Sequence, residues 1–238
     1  MVRYYAPRNA LAATLTHKQK NLNASRTATQ TSVALVLAGG EGRRVEGADK
    51  GLLPLGGQPL VEHVINRLSP QVSHIIISSN RNVKTYQEYG YTVVSDVACP
   101  LPDSEKRGSK FEGPLAGIYS ALKLIESEPD LYQQVTQLVC VPCDTPHLPS
   151  DLVTRLEHFK TPQTVACVAH DGERQQNLHC LISRNAWESL QTFYLNGGRA
   201  IKEWFKTVKT ERVDFSDVAS SFQNYNSLTS GARPSNKK

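Results

Sequence analysis

The chain has 238 residues, 39% of them hydrophobic, which suffices to bury one sizeable core and makes a single domain the default. Its net charge of +5 is concentrated at one end, because residues 1–32 hold Arg3, Arg8, Lys18, Lys20 and Arg26 and no acid. Without those five, the 27 basic residues fall to 22 against 22 acidic ones, so the remainder is neutral and a broad nucleic-acid-binding face is excluded.

In chain order, residues 1–32 lack the continuous apolar core of a secretory signal, and only Leu11, Leu15 and Leu22 offer an apolar stripe. They predict a disordered basic arm, with a composition that also overlaps organelle transit segments. No apolar run anywhere approaches the ~18 residues of a membrane span, so the expectation is a cytoplasmic protein with no membrane partner. Residues 33–37 are five apolar residues in a row, the mark of a strand buried on both faces. Ala38, Gly39, Gly40 and Gly42 then remove side-chain bulk where the chain must turn, and Arg43, Arg44 and Lys50 bring dense positive charge to that turn. Backbone N–H groups and cations converging at the carboxyl end of a buried strand predict a cradle for a polyphosphate. The spacing is neither that of a Walker A loop nor that of a dinucleotide-binding loop.

Pro59 opens an apolar spacing, Leu60, Val64, Ile65 and Leu68, that predicts a helix with proline in its first turn; His63 in it receives no role. Residues 73–79, with Ile75, Ile76 and Ile77, predict a second buried strand ending at Asn80-Arg81-Asn82. Residues 91–94 predict a third, leading to Asp96. Residues 97–112 read as a long irregular loop, a lid or an insertion. Gly113 to Gly117, G-P-L-A-G, starts a helix whose glycines admit close approach of a ligand or neighbouring element. Residues 135–141 predict another buried strand, closed by P-C-D-T-P with Asp144 between Pro142 and Pro146. Residues 148–159 predict a helix, 164–169 and 178–182 a pair of strands joined through H-D-G-E-R, 185–195 and 199–207 two helices, and 208–213 a last strand. D-F-S-D and F-Q-N-Y-N follow, and residues 227–238 predict a disordered tail.

Strands alternating with helices imply an α/β fold: a Rossmann-like, doubly wound, mostly parallel sheet, mixed because of the late strand pair, in a single domain over residues 33–226. The carboxyl ends of its strands would bring the 39–50 loop, Asn80, Asp96 and Asp144 to one crevice. Cations for phosphates, a carboxylate for a hard cation and polar groups for a base suit metal-dependent transfer from a nucleotide. Asn80, Asp96 and Asp144 read equally as turn stabilisers, and so do Asn224 and Asn226, which extended backbone would place on one face. Five cysteines, Cys99, Cys140, Cys143, Cys167 and Cys180, are odd in number and fit a reducing compartment. Cys140 and Cys143 would point to opposite faces of a strand, against a zinc or redox pair and for buried packing.

The string from Leu37, L-A-G-G-x-x-x-R, with Lys50 six residues after Arg44 and G-L-L-P-L behind it, resembles the signature loop of the nucleotidyltransferase superfamily. Within it the chain most resembles the molybdenum cofactor guanylyltransferases, over about residues 33–226; H-D-G-E-R and D-F-S-D with F-x-N-x-N favour that family over its relatives. The resemblance implies GMP transfer from Mg-GTP to the terminal phosphate of molybdopterin bearing molybdenum, with pyrophosphate released. It implies that Leu37, Ala38, Gly39, Gly40, Lys50, Asn80, Asp96 and Asp144 contact GTP and that Asp144 holds Mg2+. Lys50, Arg43 and Arg44 are then the expected stabilisers of the leaving group, and Asn224 and Asn226 the expected acceptor contacts. Molybdoenzymes or cofactor chaperones are the implied protein partners. Three departures stand out: Val45-Glu46 replaces the usual Met-Gly, the 97–112 loop is longer, and S-L-T-S-G follows Asn226 instead of T-P-E-E-L. The alternatives are a cytidylyl- or sugar-nucleotidyltransferase and a non-catalytic GTP-binding regulatory module.

Overall fold

A computed structural model describes residues 4–5, 31–39, 49–97 and 113–225. Its centre is β2 (Ser32–Leu37), whose apolar run feeds two cores at once. Val33 and Leu35 enter the core on one face of the sheet, and Ala34 and Val36 the core on the other. β5 (His74–Ser78) and β7 (Gln137–Pro142) repeat the alternation: Ile76, Leu138 and Cys140 face one side, and Ile75, Ile77, Val139 and Val141 the other. Successive side chains of a strand point to opposite faces, so a strand covered on both sides must be apolar throughout.

The first core is closed by α3 (Pro114–Ser127), α6 (Trp187–Leu195) and α7 (Ile201–Phe205), through Leu115, Leu122, Leu190 and Trp204. The second is closed by α1 (Leu60–Leu68) and α5 (Leu152–His158), through Val61, Val64, Leu152 and Leu156. Two short helices, α2 (Val83–Gln87) and α4 (Pro129–Tyr132), complete the set. Helices on both faces of one sheet make the doubly wound α/β architecture expected from the sequence.

The remaining strands are β1 (Tyr4–Tyr5), β3 (Pro54–Leu55), β4 (Gln58–Pro59), β6 (Thr92–Val94), β8 (Ala166–His170), β9 (Gln175–Ser183) and β10 (Thr210–Asp214). The main sheet has eight strands in the order β1-β6-β5-β2-β7-β9-β8-β10. β6, β5, β2 and β7 are parallel. β9 runs against both β7 and β8, β10 is parallel to β8, and β1 runs against β6. β5 lies on one side of β2 and β7 on the other, so the order reverses at β2, and the crevice beyond its carboxyl end is where this class of sheet binds ligands. Leu37 lies opposite Ser78 and Pro142, and Ser78 opposite Val94, which brings these strand ends level.

Several boundaries differ from the sequence reading. Ser32 falls within the predicted arm, but it is buried and begins β2. Its hydroxyl donates to Glu157 Oε1 at 2.8 Å and accepts from Gln137 Nε2 at 2.7 Å. The arm also supplies Tyr4–Tyr5, paired with Val93 and Val94; its other predicted features, and those of the tail and the 98–112 loop, lie outside the described residues. The helix predicted from Pro59 is α1, with Pro59 as its N-cap rather than in its first turn; Pro59 also closes a small hairpin of β3 and β4, whose Gly56 and Gly57 have φ of 58° and 86°, as tight two-residue turns require. The predicted helix at 148–159 begins only at Leu152. The helix predicted at 199–207 narrows to Ile201–Phe205, with Arg199 Nη1 donating to the carbonyls of Tyr194 and Gly198 ahead of it.

Candidate active site

The site is assembled from four strand ends. After β2, Ala38 N donates to Ser78 O at 2.8 Å, and Cys143 N, just past β7, donates to Leu37 O at 3.1 Å. The backbone of Leu37 and Ala38 is thereby locked between its neighbours, and Gly39 follows with Asn80 Nδ2 only 3.6 Å from where a Cβ would stand. Gly40, Arg43 and Arg44 lie outside the described residues. Asp49 precedes Lys50–Leu52, which forms a single 3-10 turn.

Lys50 Nζ reaches Asp144 Oδ2 at 3.1 Å across 94 residues of sequence. Asp144 is 7% exposed and sits two residues beyond β7, at the base of the crevice. Three further bonds hold its turn: Cys143 N to Leu37 O, Thr145 Oγ1 to Pro142 O at 3.3 Å, and Tyr225 N to Asp144 O at 2.7 Å. Both prolines and these bonds restrain the backbone that carries the carboxylate.

Asn80 and Asp96, predicted as separate strand-end groups, are one unit. Asn80 Nδ2 donates to Asp96 Oδ2 at 2.7 Å, and Asp96 N donates to Asn80 Oδ1 at 2.8 Å. Ser120 on α3 receives Val97 N at 2.9 Å, and Tyr194 on α6 donates to Val97 O at 2.8 Å, which fixes the chain just beyond Asp96. α3 comes this close because of Gly117: a Cβ there would overlap Ser78 Oγ and stand 3.1 Å from Leu37 Cδ2.

The late segments divide. D-F-S-D is structural: Phe215 is fully buried with the Arg155 guanidinium 4.0 Å above its ring, and Arg155 Nη2 pairs with Asp217 Oδ1 at 2.8 Å. H-D-G-E-R forms a tight loop in which Asp171 Oδ1 accepts from the N–H groups of Glu173 and Arg174 at 2.9 and 2.7 Å. From β10 the chain crosses back over the sheet end with Phe222 packed on Phe215 and His179, and arrives at Asp144 through Tyr225. Asn224, exposed, directly precedes the Tyr225 that bonds Asp144; Asn226 lies outside the described residues.

Four residues went unseen in the sequence. Asp49 is 9% exposed and its carboxylate caps the Lys50 turn, a role legible in principle from Asp directly before K-G-L. Thr145 lies in the P-C-D-T-P segment but drew no role, and Tyr86 and His179 carried no signal, since only the fold brings them near. His179 Nε2 lies 3.1 Å from Thr145 Oγ1. Burial pushes its pKa down to about 3, so the ring is neutral at physiological pH. The Cys143 thiol is pushed up, first by burial and then by Asp144 and Asp49, and stays protonated. Cys140 and Cys143 belong to opposite cores, as packing residues would.

No group of three or more His, Cys, Asp and Glu able to hold a metal exists among the described residues. One carboxylate fits a hard divalent cation whose other ligands are substrate phosphates and water, as Mg2+ sites of nucleotide enzymes are built.

The MobA-like NTP transferase domain matches residues 34–213. The chain belongs to the MobA-like NTP transferase family. It is therefore a nucleotidyltransferase, and nucleotidyltransferases of this family use a divalent metal. The molybdenum cofactor guanylyltransferase of Shewanella piezotolerans is 39% identical over 199 residues, covering 83% of this chain and 89% of that one. The molybdenum cofactor guanylyltransferase of Haemophilus influenzae is 38% identical over 201 residues, covering 84% and 95%. Among solved structures, the molybdopterin-guanine dinucleotide biosynthesis protein A of Archaeoglobus fulgidus aligns with a TM-score of 0.62 at 21% identity over 82% of this chain and 92% of that one. At that identity the likeness concerns the fold. Among the described residues no helix is long and apolar enough to cross a membrane.

Proposed function

We propose that this chain transfers GMP from Mg-GTP to the terminal phosphate of molybdopterin bearing molybdenum, forming the guanine dinucleotide cofactor and pyrophosphate. The supporting observation is the 3.1 Å pair of Lys50 and Asp144 at the switch point of the sheet, with the Asn224 segment bonded to Asp144 from the other side. An acceptor phosphate oxygen attacks the α-phosphorus of GTP, and the bond to the bridging oxygen of the β-phosphate breaks. A phosphate with a second pKa of about 6 is mostly dianionic at neutral pH and needs no general base. Catalysis then rests on alignment and charge neutralisation.

In this reading the Leu37–Gly40 backbone cradles the phosphates, and Lys50, with Arg43 and Arg44, neutralises the departing pyrophosphate. Asp144 holds Mg2+, which when bound supplies Lewis-acid polarisation of the phosphates. Asp96, oriented by Asn80, accepts from the adjacent N1–H and N2–H2 donors of guanine, a pair that adenine lacks. Asn224 and Asn226 receive the acceptor, and cytoplasmic molybdoenzymes or cofactor chaperones would take the product.

The test is incubation of the purified protein with GTP, Mg2+ and molybdopterin while following pyrophosphate. Release that needs all three supports the reading. Release with CTP in place of GTP would make the chain a cytidylyltransferase, and GTP binding without release would make it a binding module.

A further inference from the structure

Asp49, only 9% exposed, accepts three hydrogen bonds through its carboxylate. Its Oδ1 accepts from Tyr86 Oη at 2.6 Å and from Gly51 N at 3.2 Å, and its Oδ2 accepts from Asn82 Nδ2 at 3.1 Å. Tyr86 is fully buried, and its pKa is raised first by burial and then by Cys143 and Asp49. The phenol therefore stays protonated and donates a short, charge-assisted bond to the carboxylate. Gly51 is required beside it, because a Cβ at that position would overlap Tyr86 Oη and press on Cys143 Sγ at 3.3 Å.

These bonds enclose Lys50. Asp49 O accepts Leu52 N at 3.1 Å, Lys50 O accepts Leu53 N at 3.1 Å, and the side chain of Asp49 holds Gly51 N. With the residues on either side anchored, the Cα–Cβ direction of Lys50 is set by the Asp49 network, and the ammonium is delivered to Asp144. The donors Asn82 and Tyr86 belong to the segment that follows Asn80, and Asn82 holds a left-handed φ of 49° at the start of α2. The same carboxylate that fixes the lysine thus also ties it to the loop on the Asn80–Asp96 side of the crevice.

We propose that Asp49 is a positioning residue: held by Tyr86 and Asn82, it aims Lys50 at the departing pyrophosphate, and it acts on turnover only through that lysine. The proposal rests on the assignment of Lys50 to the leaving group. A misplacement of about 1 Å in a catalytic group lowers turnover by roughly 100-fold.

The experiment is a double-mutant cycle on the full chain, using single-turnover rates with GTP, Mg2+ and molybdopterin and GTP affinity by calorimetry. Asp49→Asn keeps the shape but opposes one donor to another at Asn82. It is expected to lower the rate by about 10- to 100-fold, with GTP affinity within about threefold of the parent protein. Tyr86→Phe, which leaves the packing nearly intact, is expected to lower it in the same sense and carries the test alone where Asp49→Asn does not fold. In the Lys50→Ala background, both changes should alter the residual rate by less than about twofold, because residues acting through one group are not additive. If Lys50→Ala is crippled and Asp49→Asn or Tyr86→Phe still takes its full additional toll, Asp49 does not act through Lys50 and the proposal fails alone. If Lys50→Ala turns over at the parent rate, the assignment of Lys50 itself is overturned, and the proposal with it.

Discussion

Lys50 and Asp144 neutralise one another in the described state, but a bound nucleotide would separate their tasks. If the site works as proposed, charge on pyrophosphate grows as the bond breaks, whereas part of the ground-state grip on GTP would come from backbone N–H groups. Lys50→Ala is therefore expected to lower kcat by about 100-fold or more while GTP affinity, measured by titration, falls much less. Asp144→Ala should abolish the Mg2+ dependence of pyrophosphate release with the circular dichroism spectrum unchanged; a retained dependence would place the metal elsewhere. His179 makes a separate prediction, on stability. Its pKa falls from 6.5 to about 3 on burial. Below about pH 6.5 the unfolded chain binds a proton that the folded chain refuses, so this group's effect on stability is absent above that pH and grows as pH falls towards about 3. For one proton the loss is at most ~1.4 kcal/mol per pH unit. His179→Gln can still meet Thr145 but does not titrate, so its urea midpoint should decline less between pH 7 and pH 4 than that of the parent protein. Parallel declines would assign the acid sensitivity to other groups.

At the scale of elements, α3 carries the clearest link between sequence and site. Its G-P-L-A-G start announced close approach, and the fold shows what is approached: Ser78 and Leu37, at the ends of β5 and β2. Gly117→Ala gains helix propensity of about 1 kcal/mol, yet overpacking against strand ends that cannot retreat costs about 1–3 kcal/mol. The variant should be destabilised in urea denaturation, and adding Ser78→Ala, which removes the overlapping hydroxyl, should recover part of the loss. No recovery would mean that the obstruction is Leu37 Cδ2 or Ser78 Cβ, each 3.1 Å away, instead of the hydroxyl. By contrast, the β3–β4 hairpin was hidden by Pro59, whose proline-then-apolar pattern reads as a helix start. α2 and α4, of five and four residues, are too short for helical periodicity to register.

At the scale of the molecule, β1 covers the outer edge of β6 through Tyr4–Tyr5. A chain beginning at residue 31 would keep Ser32 and its bonds to Glu157 and Gln137 and lose only that two-residue pairing from the described structure. Its pyrophosphate release should match that of the full chain. Its melting temperature should fall by no more than about 2–4 °C, the shift for about 1 kcal/mol in a domain of this size. A larger drop would show that residues 1–30 pack on the core.

The sequence by itself determined which segments are buried strands, and it is the source of the proposal that the glycine-rich turn after β2 cradles phosphates. Apolar runs, small residues and clustered cations are properties of neighbouring residues, and local chemistry suffices to read them. It placed Asn80, Asp96 and Asp144 at strand ends, but not in their pairings. That Asn80 binds Asp96, that Lys50 meets Asp144, and that Tyr225 ties the Asn224 segment to the same carboxylate was decided only by the tertiary structure. These partners lie far apart in the chain and meet because parallel register brings β6, β5, β2 and β7 level, while Phe222 docks the returning chain across their ends. Asp49 shows the same division. Its capping of the next turn is local, but its bonds to Tyr86 and Asn82 exist because the segment after β5 packs against the Asp49–Leu52 turn, a meeting that no periodicity encodes.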